Sequence, residues 1–179
     1  MLLEVLGQAT ERTTCKFRVI GSYAREAEQT AFLLARALRR QGHRLEQAGA
    51  ELQLAMPDNN FHADVLLVLD ETMLHRPAVR IGIPAQSLLL VATGRRPEEI
   101  GWHLPEFAGV IATVDADSIG AECGADPLVA MLGAIARLCG CIDHDVLAAA
   151  VHNAYDSELP YLAAASLRAC DQGYSRVHM

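Results

Sequence analysis

Phe17-Arg18-Val19-Ile20 runs directly into Gly21-Ser22-Tyr23 and then into a segment rich in alanine, leucine and glutamate. A strand, a glycine turn and a helix N-terminus make up the unit on which many phosphates and nucleotide cofactors sit. The first helical N–H groups and the helix dipole point at the anion, and glycine lets the backbone approach it. Such turns usually carry three glycines, and this one carries only Gly21. Ser22, Tyr23, Arg25, Glu26 and Glu28 stand where small residues would be wanted, and the glutamates satisfy the helix dipole from within the chain. The stretch admits three readings: a plain structural turn, a retained phosphate cradle, or an altered ligand site in which Tyr23 or Arg25 makes the contacts. Gly21, Ser22, Tyr23 and Arg25 are its candidate binding residues.

A second candidate is Asp70, followed by Glu71, at the end of the apolar run "DVLLVLD". A carboxylate there can hold a ribose hydroxyl, act as a base, or simply cap the next helix. The remaining reactive side chains are scattered. The seven histidines have no paired ligand spacing, so the sequence gives no support for a metal site. Of the five cysteines, Cys139 and Cys141 are too close for a usual zinc or cluster half-site, and all five read as small core residues in a reducing compartment. Neither G-x-S-x-G nor a Walker loop is present, and the Gly94-Arg95-Arg96-Pro97 knot reads as a solvated loop. No residue is assigned a catalytic role.

Those candidates are carried by alternating strands and helices. "DVLLVLD" and "SLLLVAT" read as strands buried on both faces, "FRVIG" as a short buried strand and "GVIATVDA" as the last clear strand, while "ELQLAMP" alternates only weakly. Ala27, Ala31, Leu34, Ala35 and Leu38 recur at helical spacing up to Arg39, Arg40 and Gly42. Asp115 leads into a short helix, Asp126-Pro127 caps a second, Asp143 a third and Ser157 a fourth. On the second, Leu128, Met131, Leu132, Ile135 and Leu138 share a face. On the last, Leu159, Leu162, Ser166, Leu167, Cys170 and Tyr174 recur, so Leu132 and Leu167 are both expected in the core. The predicted fold is a three-layer α/β domain, a mostly parallel doubly wound sheet closed by a C-terminal helical tail. One domain is expected over residues 1–179, with an N-terminal extension at 1–16 and the tail at 126–179. Right-handed crossovers bring residues 20–23, 70–73 and 114–117 to one sheet edge, where such folds bind ligands.

A formal charge of −7 argues against nucleic acid and anionic membranes, both of which require clustered Lys and Arg. No stretch approaches about 18 uninterrupted apolar residues, so a soluble, cytoplasmic chain is expected.

From Val114 to Ile119, Met131-Leu132-Gly133-Ala134, Leu147 to Ala150 and Gly173-Tyr174, the second half resembles the gamma-type domain of the thiamine-diphosphate-dependent 2-oxoacid:ferredoxin oxidoreductases. "ADVLLVLDETML" and "VIGSYAREAEQTAFLLARAL" are similar to that family's earlier β-α steps, and the resemblance covers about residues 17 to 175. Two family features are missing. The G-x-G-G-Q-G loop is reduced to Gly21, with Gln29 too far along to substitute, and residues 43–63 hold no Arg-Gly-Gly segment.

The resemblance implies a gamma-like subunit that walls or holds together a complex converting a 2-oxo acid to acyl-coenzyme A. Its partners are thiamine-diphosphate-binding and iron-sulfur chains, with electrons leaving to a ferredoxin-like acceptor. No cofactor is expected on this chain alone; thiamine diphosphate, iron-sulfur clusters and coenzyme A belong to the complex, and in the family the two missing segments face the thiamine diphosphate and coenzyme A region of the neighbouring subunits. The alternative is a stand-alone α/β binding or regulatory protein. A dinucleotide-dependent dehydrogenase is weaker, because no acidic residue follows a glycine triplet at the required spacing.

Overall fold

A computed structural model describes residues 14–55, 64–156 and 160–179. Strand β1 (Thr14–Ile20) leads to helix α1 (Ala24–Arg40), then to β2 (Leu45–Ala48) and β3 (Glu51–Ala55). After β4 (Asp64–Val68) come a 3-10 helix (Glu71–His75), α2 (Pro77–Ile81), β5 (Ser87–Ala92), α3 (Pro97–Gly101) and β6 (Val110–Val114). The helices α4 (Ala116–Cys123), α5 (Pro127–Leu138), α6 (His144–Tyr155) and α7 (Pro160–Arg176) complete the chain. Ser157 and Leu159, expected to begin the last helix, lie outside the described residues.

The six strands form one sheet in the order β2-β3-β1-β4-β5-β6. β1, β4, β5 and β6 are parallel, whereas β3 pairs antiparallel with β1, and β2 with β3. The hairpin makes the sheet mixed. Its strands alternate in burial, with Leu52 and Leu54 inside and Glu51, Gln53 and Ala55 outside, as on a sheet covered on one face. That one-sided pattern is why "ELQLA" is a fainter strand signal than the continuous apolar runs. β1 also begins at Thr14, three residues before the Phe17 that the sequence suggests, and Lys16 and Arg18 lie on its exposed face.

Beyond their first residues, Asp64 and Ser87, β4 and β5 are apolar because consecutive side chains enter different cores. Val65, Leu67, Leu88 and Leu90 face the larger cluster with α1, α4, α5 and α6. Leu66, Val68, Leu89 and Val91 face the smaller one with Met73, Leu74 and Ile100 from the short helices and Leu104 from the loop after α3. The expected three layers are therefore present.

α1 stops where Gly42 takes φ +86°, with His43 N–H donating to the Leu38 carbonyl at 3.1 Å and Gly42 N–H to Arg39 at 3.0 Å. Asp126 and Asp143 cap α5 and α6 through their carboxylates, at 3.0 Å to Leu128 N–H and 2.9 Å to Asp145 N–H. α7 departs from its expected face. Leu162 and Leu167 are only partly buried, while Ala163, Ser166, Ala169, Cys170 and Gly173 form the buried stripe. It lies so close to α5 that small residues, rather than leucines, fit the contact. At the far edge of the sheet, His178 exchanges backbone hydrogen bonds with Thr113, at 2.8 and 2.9 Å, and covers part of the open β6 edge.

Candidate functional site

The parallel strands β1, β4, β5 and β6 end at the same level, so the residues just after them gather on one edge. A cleft of about 390 Å³ opens there, floored by Leu69 and Ala92 and rimmed by residues from the connections after all four strands. Ser22 and Tyr23 follow β1, Asp70 and Glu71 follow β4, Thr93 and Gly94 follow β5, and Asp115 follows β6.

Asp70 is fixed from three sides. It caps the 3-10 helix, accepting from Thr72 N–H at 2.9 Å and from the Thr72 hydroxyl at 2.7 Å, and the Ser22 hydroxyl donates to its other oxygen. The Ser22 hydrogen bond, then those from Thr72, hold its carboxyl below the ordinary value against a small opposing effect of burial, with Arg76 helping through its charge. The capping reading and the gathering of Ser22 with Asp70 are the same geometry: the first connection is tied to the second by a side-chain bridge.

A parallel bridge ties the second connection to the third. The Thr93 hydroxyl donates to the Glu71 carboxylate and accepts from Arg95 N–H at 3.1 Å, while the Arg95 guanidinium lies 3.8 Å from Glu71. The Gly94-Arg95 turn is thus partly anchored rather than wholly solvated. Asp115 accepts from Ser118 N–H at 3.1 Å to cap α4.

Of the candidate residues, Ser22, Tyr23 and Asp70 come together on the cleft. Tyr23, 68% exposed, projects from its rim. Gly21 lies behind it. A Cβ there would meet Leu69 Cδ1 at 3.4 Å, an ordinary contact, and its φ is not positive, so neither space nor backbone demands glycine. Arg25 points elsewhere, into an open groove between α1 and the hairpin with Glu28, Gln29 and Gln47. Asp115 and Asp117 fall in the 114–117 stretch expected on this edge, whereas Thr93 is a cleft residue the sequence reading did not single out. The signal for Thr93 was available, since a residue one step past the last apolar position of each parallel strand belongs to the same edge.

Glu26, Asp70, Glu71, Asp115 and Asp117 all line the cleft, and among the described residues no Lys or Arg lines it with them. Five carboxylates around so small an opening set up a field that repels an anion. Tyr23, the N-cap of α1, supplies no side-chain cap, but Glu26 occupies the first turn. A diphosphate or coenzyme A does not fit this cleft as a ligand of the chain itself. Among the described residues, no group of three His, Cys, Asp or Glu side chains forms a metal site.

No protein-family model matches the chain. The pyruvate/ketoisovalerate oxidoreductases common subunit gamma of Pyrococcus furiosus is 29% identical over 101 residues, 55% of each chain. This chain thus matches about half the length of the curated relatives. The crystal structure of a pyruvate oxidoreductase subunit from Thermotoga maritima superimposes with a TM-score of 0.75 at 25% identity, covering 93% of this chain and 98% of that one. The chain is similar in sequence and in fold to the gamma subunits of 2-oxoacid:ferredoxin oxidoreductases. The gamma-like fold also recurs within a longer protein. The 2-oxoglutarate:ferredoxin oxidoreductase of Magnetococcus marinus, solved with 2-oxoglutarate, coenzyme A and succinyl-CoA, matches 92% of this chain and 31% of its own with a TM-score of 0.67 at 16% identity. In this chain the first connection carries Ser22, bridged to Asp70, and the exposed Tyr23.

Proposed function

We propose that this chain is the gamma-like subunit of a 2-oxoacid:acceptor oxidoreductase complex that decarboxylates a 2-oxo acid oxidatively and passes the acyl group to coenzyme A. Its part is to wall the active site and hold the assembly together. Partner chains carry the thiamine diphosphate and the iron-sulfur clusters, and a ferredoxin-like protein takes the electrons. The observation that carries this reading is the match over nearly the whole of a pyruvate oxidoreductase subunit, 93% of this chain and 98% of that one. The ring of carboxylates on the strand-end cleft supports leaving cofactor contact to the partners, because it disfavours a phosphate on this chain. Tyr23, Ser22 and Asp70 then serve as part of the wall facing a neighbouring subunit. Among the described residues, no single helix is long and apolar enough to cross a membrane. The cysteine usage suits the reducing cytoplasm, where we place the complex.

The test is purification of the tagged chain from its native cells under anaerobic conditions. Larger companions containing iron and thiamine diphosphate, and coenzyme A-dependent reduction of a viologen dye by 2-oxo acids, are the expected result. A colourless chain that purifies alone, with no such activity in the fractions, overturns the proposal in favour of a stand-alone α/β binding protein.

A further inference from the structure

α5 passes into α6 through a tight turn. Cys139 N–H donates to the Ile135 carbonyl at 2.8 Å, closing the helix, and the Cys139 carbonyl accepts from Ile142 N–H at 3.1 Å. Residues 139–142 are therefore joined by an i to i+3 hydrogen bond, with Cys139 first and Cys141 third. A fully extended segment would hold those two Cα atoms about 7 Å apart, beyond the usual reach of a disulfide, and the turn draws them inside it. Cys139 is fully buried and Cys141, two residues on, is only partly buried, and the two thiols are close enough for each to shift the other's ionisation. Gly140 between them is exposed, and a Cβ there would meet nothing within 4 Å. Gly140 also lines an open depression with Arg137, His144 and Tyr174, at whose rim Asp143 and Asp145 stand. Cys123 and Cys170, by contrast, are buried in helices α4 and α7.

We propose that Cys139 and Cys141 form a redox-modification site that closes to an intramolecular disulfide by exchange with a low-molecular-weight disulfide such as oxidised glutathione. The partly buried Cys141 thiolate attacks one sulfur of the reagent. The reagent's S–S bond breaks, and one thiolate leaves and takes up the proton that Cys141 gave up. Cys139 then loses its proton and attacks the Cys141 sulfur of the mixed disulfide, displacing the second glutathione as a thiol. Two cysteine thiols are oxidised and one disulfide is reduced to two thiols. The order of attack follows the environments. The hydrogen bond from Cys139 favours the Cys141 thiolate, whereas burial, then the Cys141 neighbour, keeps Cys139 protonated until the first step has occurred. This inference stands independently of the proposed enzymatic role.

Cys15 lies near enough to Cys139 to influence it electrostatically and is the competing partner. Tryptic digestion separates the two outcomes, because Cys139 and Cys141 share the peptide 138–168 whereas Cys15 falls in 13–16. The purified full chain is incubated with oxidised glutathione, blocked with N-ethylmaleimide and digested without reductant. The expected peptide 138–168 is lighter by two hydrogens, takes up no maleimide, and regains both thiols with dithiothreitol. Cys139→Ser is expected to trap a glutathione adduct on Cys141, and Cys141→Ser to prevent the reaction at Cys139. Maleimide on both cysteines of the oxidised wild-type chain, or a link from 138–168 to 13–16, overturns the proposal, and the wild-type measurement decides it even where a variant fails to fold.

Discussion

Gly133 on α5 and Gly173 on α7 let the two helices touch backbone to backbone. A Cβ on Gly133 would lie 1.9 Å from the Cys170 carbonyl oxygen, and one on Gly173 would lie 2.0 Å from the Ala130 oxygen. These are the glycines of Met131-Leu132-Gly133-Ala134 and Gly173-Tyr174, so both stretches that resemble gamma-type domains have a steric explanation in one contact. Neither helix can accept even a methyl group without moving apart. Gly173→Ala and Gly133→Ala are each expected to destabilise the chain by about 1–3 kcal/mol, which lowers the melting temperature by roughly 2–12 °C. Differential scanning calorimetry checks this, and melting unchanged in both variants would mean the helices do not meet as described.

Gly21 is the opposite case. Its φ is not positive, and a methyl carbon added to it would sit 3.4 Å from its nearest neighbour, Leu69 Cδ1. Gly21→Ala is therefore expected to shift stability by no more than about 0.5 kcal/mol and to leave the activity of the purified complex within about twofold. A loss of more than tenfold in activity with unchanged melting would show that the bare backbone of this turn approaches a ligand.

Legibility in the sequence followed how many faces each element buries. Val65 to Val68 and Leu88 to Val91 feed two cores at once and read as strands without ambiguity. Asp126 and Asp143 announce their helices because a carboxylate before a helix has a specific backbone partner. The hairpin was fainter because Glu51, Gln53 and Ala55 face outward, and Leu45–Ala48 is too short and mixed to carry a period. The edge itself was predictable from topology, and Ser22, Tyr23 and Asp70 do meet there. Arg25 was not separable from them, because two residues along a helix turn a side chain to a different face, here toward the hairpin. The bridges from Ser22 to Asp70 and from Thr93 to Glu71 join residues 48 and 22 positions apart, and no local pattern encodes such pairings.

Leu132 and Leu167 separate the two faces of the tail. Leu132 is fully buried, while Leu167 remains partly exposed because the small-residue stripe of α7, not its leucines, faces α5. Leu132→Asp is expected to cost more than about 3 kcal/mol, since it leaves an unpaired charge in the core. Leu167→Asp is expected to cost nearer 1 kcal/mol. Urea unfolding of both variants measures the difference, and equal losses would place Leu167 in the core after all.

Asp70 makes the strand-end edge sensitive to acid. Its folded carboxyl titrates below its ordinary value, chiefly because Ser22 and then Thr72 donate to the charged form. As pH falls the unfolded chain takes up its proton first, so stability rises with pH across the interval between the two values. The contribution is full above the unfolded value, about 3.9, and disappears as pH falls through the lower folded value. Asp70→Asn keeps the shape and lacks the titration. The stability gap between wild type and Asp70→Asn, measured by urea unfolding, is therefore expected to stay level from about pH 8 to pH 5 and to shrink below about pH 4, modestly because the carboxylate is largely open to solvent. A gap that widens on acidification would mean that the Ser22 and Thr72 hydrogen bonds do not favour the carboxylate in solution.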